Sequence, residues 1–249
     1  MRTVVAAVRS LATFVAVSLY ILALGPPCLF LALAFRWPAV LYAAGLPGIH
    51  LGLALAGIRY RTVGAERIQR SRAAVYCVNH SSNVEPPVVI SVLRDLAPDL
   101  KILYKAELRK LPVLGRAFEA VGFVPLERGN PEQSLPAIDR AAAALAAGAS
   151  FLIFPEGTRS RTGELLPFKK GGFVMAIKAQ APVVPVALIG ARDAMRKGSP
   201  IIRPVTVSVR IGEPLETVGL GLDRRDWLAT EARARVAELL EKGRIEGER

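Results

Sequence analysis

Acidic residues are absent from the first 58 positions, where only Arg2, Arg9 and Arg36 carry charge. A stretch so poor in charge cannot supply a hydrated surface of its own, which points it toward an apolar phase. Histidine is nearly absent too. His50 and His80 are the only two, so a histidine-rich metal centre is excluded. The two cysteines, Cys28 and Cys77, lie in apolar runs without a C-x-x-C pair. That excludes a disulfide framework and a thiolate metal site, and the two read as buried thiols in a reducing compartment. Aromatic residues make up only 6%, the cations are scattered among acids, and no nucleic-acid motif is present. DNA and RNA are therefore discounted as partners. There is no G-x-S-x-G elbow, which argues against a hydrolase built on Ser81, Ser82 or Cys77. No repeat or low-complexity segment occurs.

What the 249 residues do contain is apolar bulk and positive charge. Hydrophobic residues are 52%, and the formal charge is +12, of which +9 lies behind residue 58. A basic body behind an apolar leader suits an anionic lipid surface, where each nearby Lys or Arg contributes on the order of 1 kcal/mol. Residues 10–35 are almost wholly apolar and long enough to cross a bilayer, which takes about 20 residues. Gly25, Pro26 and Pro27 interrupt the run, and the part before them would reach roughly 22 Å as a helix. After a turn at Arg36, Trp37 and Pro38, a second apolar run covers 39–58 and carries His50. Basic residues flank both outer ends, which places both on the cytoplasmic side. Two readings stand: a hairpin that crosses twice, or a kinked pair embedded in one leaflet. A cleaved signal peptide ending at Ala32-Leu33-Ala34 is disfavoured, because its core would be too long and a second apolar run follows.

From Val63 the pattern changes. Short apolar runs at 75–79, 100–105, 122–126, 150–154, 183–189 and 205–211 read as strands. Between them lie helical patterns at 86–96, 111–120, 172–180 and 223–242. A further helix, with a capping-box-like start at 130–133, puts Leu135, Ile138, Ala142 and Leu145 on one face and stops at Gly148. Such alternation predicts an α/β fold with a mainly parallel sheet covered by helices. The expected organisation is an apolar helical hairpin over 1–60 and an α/β domain over 61–249.

In such sheets chemistry gathers beyond the carboxyl ends of the strands. His80 follows the first strand, and Glu85 stands five residues on, just before Pro86 and Pro87, which suit a first helical turn. A carboxylate there can hold one imidazole nitrogen protonated and free the other to take a proton. Alternatively His80 caps the helix beside Ser81, Ser82 and Asn83. Lys105 follows the second strand, Glu127 and Arg128 the third, and Glu156-Gly157-Thr158-Arg159 the fourth. Lys105, Arg128 and Arg159 could converge on an anion, since arginine's planar fork holds two phosphate oxygens. Gly157 lets main chain approach a ligand. Lys169 and Lys170 read as a solvated or membrane-facing pair.

Four blocks in this order resemble the phospholipid-synthesis acyltransferases that act on glycerol 3-phosphate and lysophosphatidic acid. They are NHSSNVE at 79–85, GFVPLER at 122–128, FPEGTRS at 154–160 and VPVALIG at 184–190. The resemblance spans about Val63 to Gly212. It implies His80 as general base and Glu85 as its orienting acid. It also implies an acceptor site of Arg128, Glu156, Gly157, Thr158 and Arg159, with Lys105 as a further phosphate ligand. The implied reaction moves an acyl group from acyl-CoA or an acyl carrier protein to the sn-2 hydroxyl of lysophosphatidic acid. It needs no metal, cofactor or covalent intermediate. Glycerol 3-phosphate, a lyso-phospholipid or a lyso-aminolipid are the alternative acceptors. The implied place is the cytoplasmic face of the inner membrane. The family usually carries aspartate where this chain has Glu85, one methylene longer.

Overall fold

The computed structural model describes residues 2–127 and 131–245. Its sheet has seven strands: β1 (Ile58–Val63), β2 (Val75–Val78), β3 (Leu100–Lys105), β4 (Val124–Leu126), β5 (Ser150–Ile153), β6 (Val183–Ile189) and β7 (Val205–Ile211). The helices are α1 (Arg2–Ala34), α2 (Ala39–Ala56), α3 (Glu85–Val92), α4 (Pro112–Ala120), α5 (Pro131–Ala146), α6 (Gly171–Ala179), α7 (Ala191–Ala194) and α8 (Arg225–Glu241). Across the sheet the order is β1-β7-β6-β2-β5-β3-β4. Only the β6–β7 pair is antiparallel, so five strands deliver their carboxyl ends to one edge. β2, β5 and β6 are buried along nearly their whole length, which is why they read as unbroken apolar runs.

The sheet separates two apolar clusters. One packs α2 and α3 against β2, β6 and β7, and the other packs α5, α6 and α8 against β2, β5 and β6. On α8, Leu228, Ala232, Val236 and Leu239 are buried as the 3.6-residue period requires. On α5, Ile138, Ala142 and Leu145 are buried, but Leu135 is 55% exposed. The capping-box-like start of this helix lies outside the described residues or side chains.

The front of the chain departs from expectation in two places. The break at Gly25-Pro26-Pro27 does not end the helix: α1 runs through it for 33 residues. Two prolines remove two main-chain donors, but a long helix keeps the rest of its ladder. Gly25 serves close approach instead, because a Cβ there would lie 2.7 Å from Val113 Cγ1 of α4. The second departure is β1. Arg59 and Arg61 read as a basic flank, yet Ile58–Val63 is a strand paired parallel with β7. An alternating burial pattern fits it to a sheet edge with one wet face. The expected boundary after residue 60 therefore falls inside a strand.

Both front helices lie along the body. Buried Ser10 accepts from Ile202 N–H at 2.7 Å, and Tyr42 O–H donates to Leu100 O at 2.6 Å. The outer face of α1 is apolar and exposed, with Val4, Val8, Leu11, Leu19 and Leu22 each more than half accessible. Thr3–Ala34 and Ala39–Ala56 are each long and apolar enough to cross a membrane.

Candidate active site

The centre of the sheet decides what meets what. β2 and β5 are neighbours in register, with Cys77 opposite Ile153. His80 and Glu156 each lie three residues beyond that pair, so both chains leave the sheet side by side. His80 N–H donates to Glu156 Oε1 at 2.5 Å, and Ser160 N–H donates to His80 O at 2.7 Å. The two motif turns are thus one structure. On the other side Asn79 joins β2 to β6 by exchanging two hydrogen bonds with Leu188, at 3.1 and 2.7 Å.

His80 Nδ1 lies 2.7 Å from Glu85 Oε2. Glu85 is wholly buried and opens α3, where the partial positive charge of the helix start favours an anion. Its carboxylate also accepts Ser81 N–H at 2.9 Å and Ser81 Oγ–H at 2.7 Å. An ionised carboxylate only accepts, so Nδ1 carries a proton, and in the neutral ring it is Nε2 that has the lone pair. The imidazole is 13% exposed and lies against the Phe154 ring, with centroids 4.4 Å apart. His80 does not cap α3, whose start has no side-chain cap; ahead of it the Ser82 hydroxyl accepts Val84 N–H at 3.3 Å and donates to Met195 O at 2.8 Å. The extra methylene of Glu85 is accommodated: the carboxylate reaches the ring and the Ser81 amide together.

The second turn differs in detail from the arrangement that the resemblance implies. Glu156 is 4% exposed, and its oxygens accept His80 N–H and, at 3.0 Å, Leu166 N–H. It therefore braces His80 from beneath rather than facing a ligand. Burial pushes its carboxyl up to about 7, against the two amides, and the nearby Glu85 charge adds to the rise. Gly157 sits at φ 69°, where a side chain is strained, and a Cβ there would lie 2.7 Å from Lys169 Cε. Thr158 is exposed, and its hydroxyl accepts from Lys197 Nζ at 2.9 Å. The same ammonium donates to Arg159 O at 2.9 Å. The Arg159 guanidinium pairs with no acid among the described residues.

The remaining expected cations are less gathered. Lys105 ends β3, with β5 between it and β2, and it pairs with Glu107 at 2.8 Å. Arg128 lies outside the described residues. Lys170 pairs with Asp226 at 2.8 Å, while Lys169 lies over Gly157. Beside this turn opens a cavity of about 730 Å³, lined by Leu103, Leu126, Ile138, Ile153, Phe154 and Phe168 and, among its polar residues, by Lys169, Lys170, Lys178 and Arg225. Sequence reasoning missed Lys197, which sits 39 residues from Thr158 and 38 from Arg159 in no recognisable pattern. It also missed the supporting roles of Asn79, Ser81 and Ser82, although all three stand inside the motif.

Comparison with known proteins bears on the family and the fold. The family model described as Acyltransferase matches residues 59–189. A chloroplastic 1-acyl-sn-glycerol-3-phosphate acyltransferase of Brassica napus is 38% identical over 165 residues, covering 66% of this chain and 45% of the relative. A 1-acyl-sn-glycerol-3-phosphate acyltransferase of Limnanthes douglasii is 32% identical over 204 residues, covering 80% of this chain and 70% of the relative. The chain spans about half the length of the chloroplastic relatives it matches. In fold, the crystal structure of the 1-acyl-sn-glycerophosphate (LPA) acyltransferase PlsC from Thermotoga maritima superposes with a TM-score of 0.81. It is 24% identical and covers 98% of this chain and 99% of its own.

Proposed function

We propose that this chain, which belongs to the acyltransferase family, is an O-acyltransferase that converts lysophosphatidic acid to phosphatidic acid. The observation that carries the reading is the His80–Glu85 contact of 2.7 Å, which leaves Nε2 as the free base beyond the central strand. Nε2 takes the proton of the sn-2 hydroxyl as its oxygen bonds to the thioester carbonyl carbon. The carbon–sulfur bond then breaks, and the departing thiolate recovers the proton from the imidazolium. Glu85 stays ionised and steadies the transient positive charge on the ring. General base action of this kind typically contributes 10²–10⁴-fold, and holding two substrates together contributes much of the rest.

Arg159 would hold the acceptor phosphate, with Lys105 and Arg128 as further cations. The donor is acyl-CoA or an acyl carrier protein, and the reaction uses no metal or cofactor. The apolar wall of the cavity, from Leu103 to Phe168, would take a fatty chain, with the cations Lys169, Lys170, Lys178 and Arg225 also lining it. The hairpin Arg2–Ala56 would moor the site to lipid on the cytoplasmic face. α1 touches the body at Ser10 and again at Gly25, roughly 22 Å apart along the helix. A helix held to one body at both points supports an anchor lying along one leaflet rather than one that crosses.

The test is acyl transfer by purified protein, offering lysophosphatidic acid and glycerol 3-phosphate with each donor. Lysophosphatidic acid should be the better acceptor. His80→Ala should lose at least about 10²-fold in kcat while keeping its circular dichroism spectrum. Substantial turnover by that variant would remove His80 from the chemistry.

A further inference from the structure

The segment after α7 folds back over the second motif turn. Lys197 Nζ donates to two neutral oxygens there, Thr158 Oγ1 and Arg159 O, both at 2.9 Å. Arg192 donates twice to Arg161 O, at 3.2 and 2.8 Å. Lys197, Arg192, Arg159 and Arg161 thus crowd onto one short turn. Among the described residues none of the four side chains makes an ion pair with a carboxylate. Lys105, Lys170 and Lys178 do pair with acids, namely Glu107, Asp226 and Asp139, whereas the neighbouring Arg196 makes no ion pair among the described residues. Four cations without direct ion pairs, against Glu164 on the same turn and Asp193 held by Arg244, leave a positive potential that an anion relieves.

Lys197 and Arg192 are both partly buried and held by two hydrogen bonds, and Lys197 is distinguished by its partners. Its ammonium has a third donor to give. Both of its partners belong to Thr158 and Arg159, so it sits at the backbone of the residue expected to hold the phosphate. We propose that Lys197 is a binding residue for the anionic head group of the acceptor, acting beside Arg159 on a phosphate monoester. The inference rests on the reading of the site as an acyltransferase acceptor site. It adds a cation that no motif marks.

The experiment compares wild type, Lys197→Met and Lys197→Arg in detergent micelles. Acyl transfer is measured to lysophosphatidic acid and to a neutral monoacylglycerol, and sn-glycerol 3-phosphate binding is measured by titration calorimetry. Lys197→Met should raise KM for lysophosphatidic acid about tenfold with kcat nearly unchanged, as loss of one charged hydrogen bond implies. The KM for monoacylglycerol should not move, and Lys197→Arg should recover most of the loss. An equal rise for both acceptors, or none for either, overturns the proposal and leaves Lys197 a brace for the turn. If wild type acylates neither acceptor, the functional reading fails. The calorimetry still decides the site, because glycerol 3-phosphate must then bind wild type about tenfold more tightly than Lys197→Met. Equal binding, or no binding to wild type, overturns it.

Discussion

Replacing Glu85 with Gln is the sharpest probe of the base. The fully buried wild-type carboxylate meets three donors: the imidazole N–H, Ser81 N–H and Ser81 Oγ–H. Glutamine offers one acceptor oxygen and one NH₂. If the oxygen serves the ring, the NH₂ faces the Ser81 amide, donor against donor. If it serves Ser81, the ring loses its acceptor and the tautomer with the proton on Nε2 gains population. Either way a charge-assisted bond is lost, which contributes about 1.5–3 kcal/mol. The imidazolium formed in the reaction also loses a counter-charge, an effect of about 4 kcal/mol for charges 4 Å apart at an effective dielectric of 20. The two overlap, so a net loss of about 2–4 kcal/mol follows, or about 30- to 1000-fold in kcat. Steady-state rates with lysophosphatidic acid give the magnitude, and ¹⁵N shifts of His80 report which nitrogen holds the proton. Glu85→Asp keeps the charge and shortens the reach, so it should fall between wild type and Glu85→Gln. A Gln variant within about fivefold of wild type, with Nδ1 still protonated, would refute the reasoning.

Two further outcomes concern stability. The Glu156 carboxyl is held up to about 7 in the fold against 4.5 ordinarily, so between those values the folded chain binds more protons than the unfolded one. Stability contributed through this group therefore falls as pH rises from about 4.5 to 7, by about 3 kcal/mol in all. Glu156→Gln does not titrate, so its unfolding free energy relative to wild type should change by that amount across the window; a pH-independent difference would contradict the account. Ser10→Ala leaves the buried Ile202 N–H without its 2.7 Å acceptor, at a cost of about 1–3 kcal/mol. Thermal denaturation in detergent should show that loss, and an unchanged midpoint would mean that α1 is not seated on the body.

The sequence by itself determined the parts that depend on near neighbours. β6 begins and ends where its apolar run does, because a strand buried on both faces needs no partner to be recognised, and β7 follows the alternation of Val205, Val207, Val209 and Ile211 with polar residues. The His80–Glu85 pair was legible for a similar reason, since five residues around one tight turn leave little freedom. Polar residues at strand ends were legible as a site because parallel strands all point one way.

Tertiary structure decided whatever depends on distant chain. Pro26 and Pro27 are breakers by local preference, yet packing against α2 and α4 carries α1 through them. Glu156 turned out to face inward because register with β2 puts the His80 amide beside it, and register is a long-range fact. Lys197 reaches Thr158 and Arg159 from a segment that no local period connects to them. Short-range order follows from steric preference and hydrophobic period, which each residue carries with it. The electrostatic surroundings of a group belong to the folded chain alone, because they are set by charges that only folding brings near.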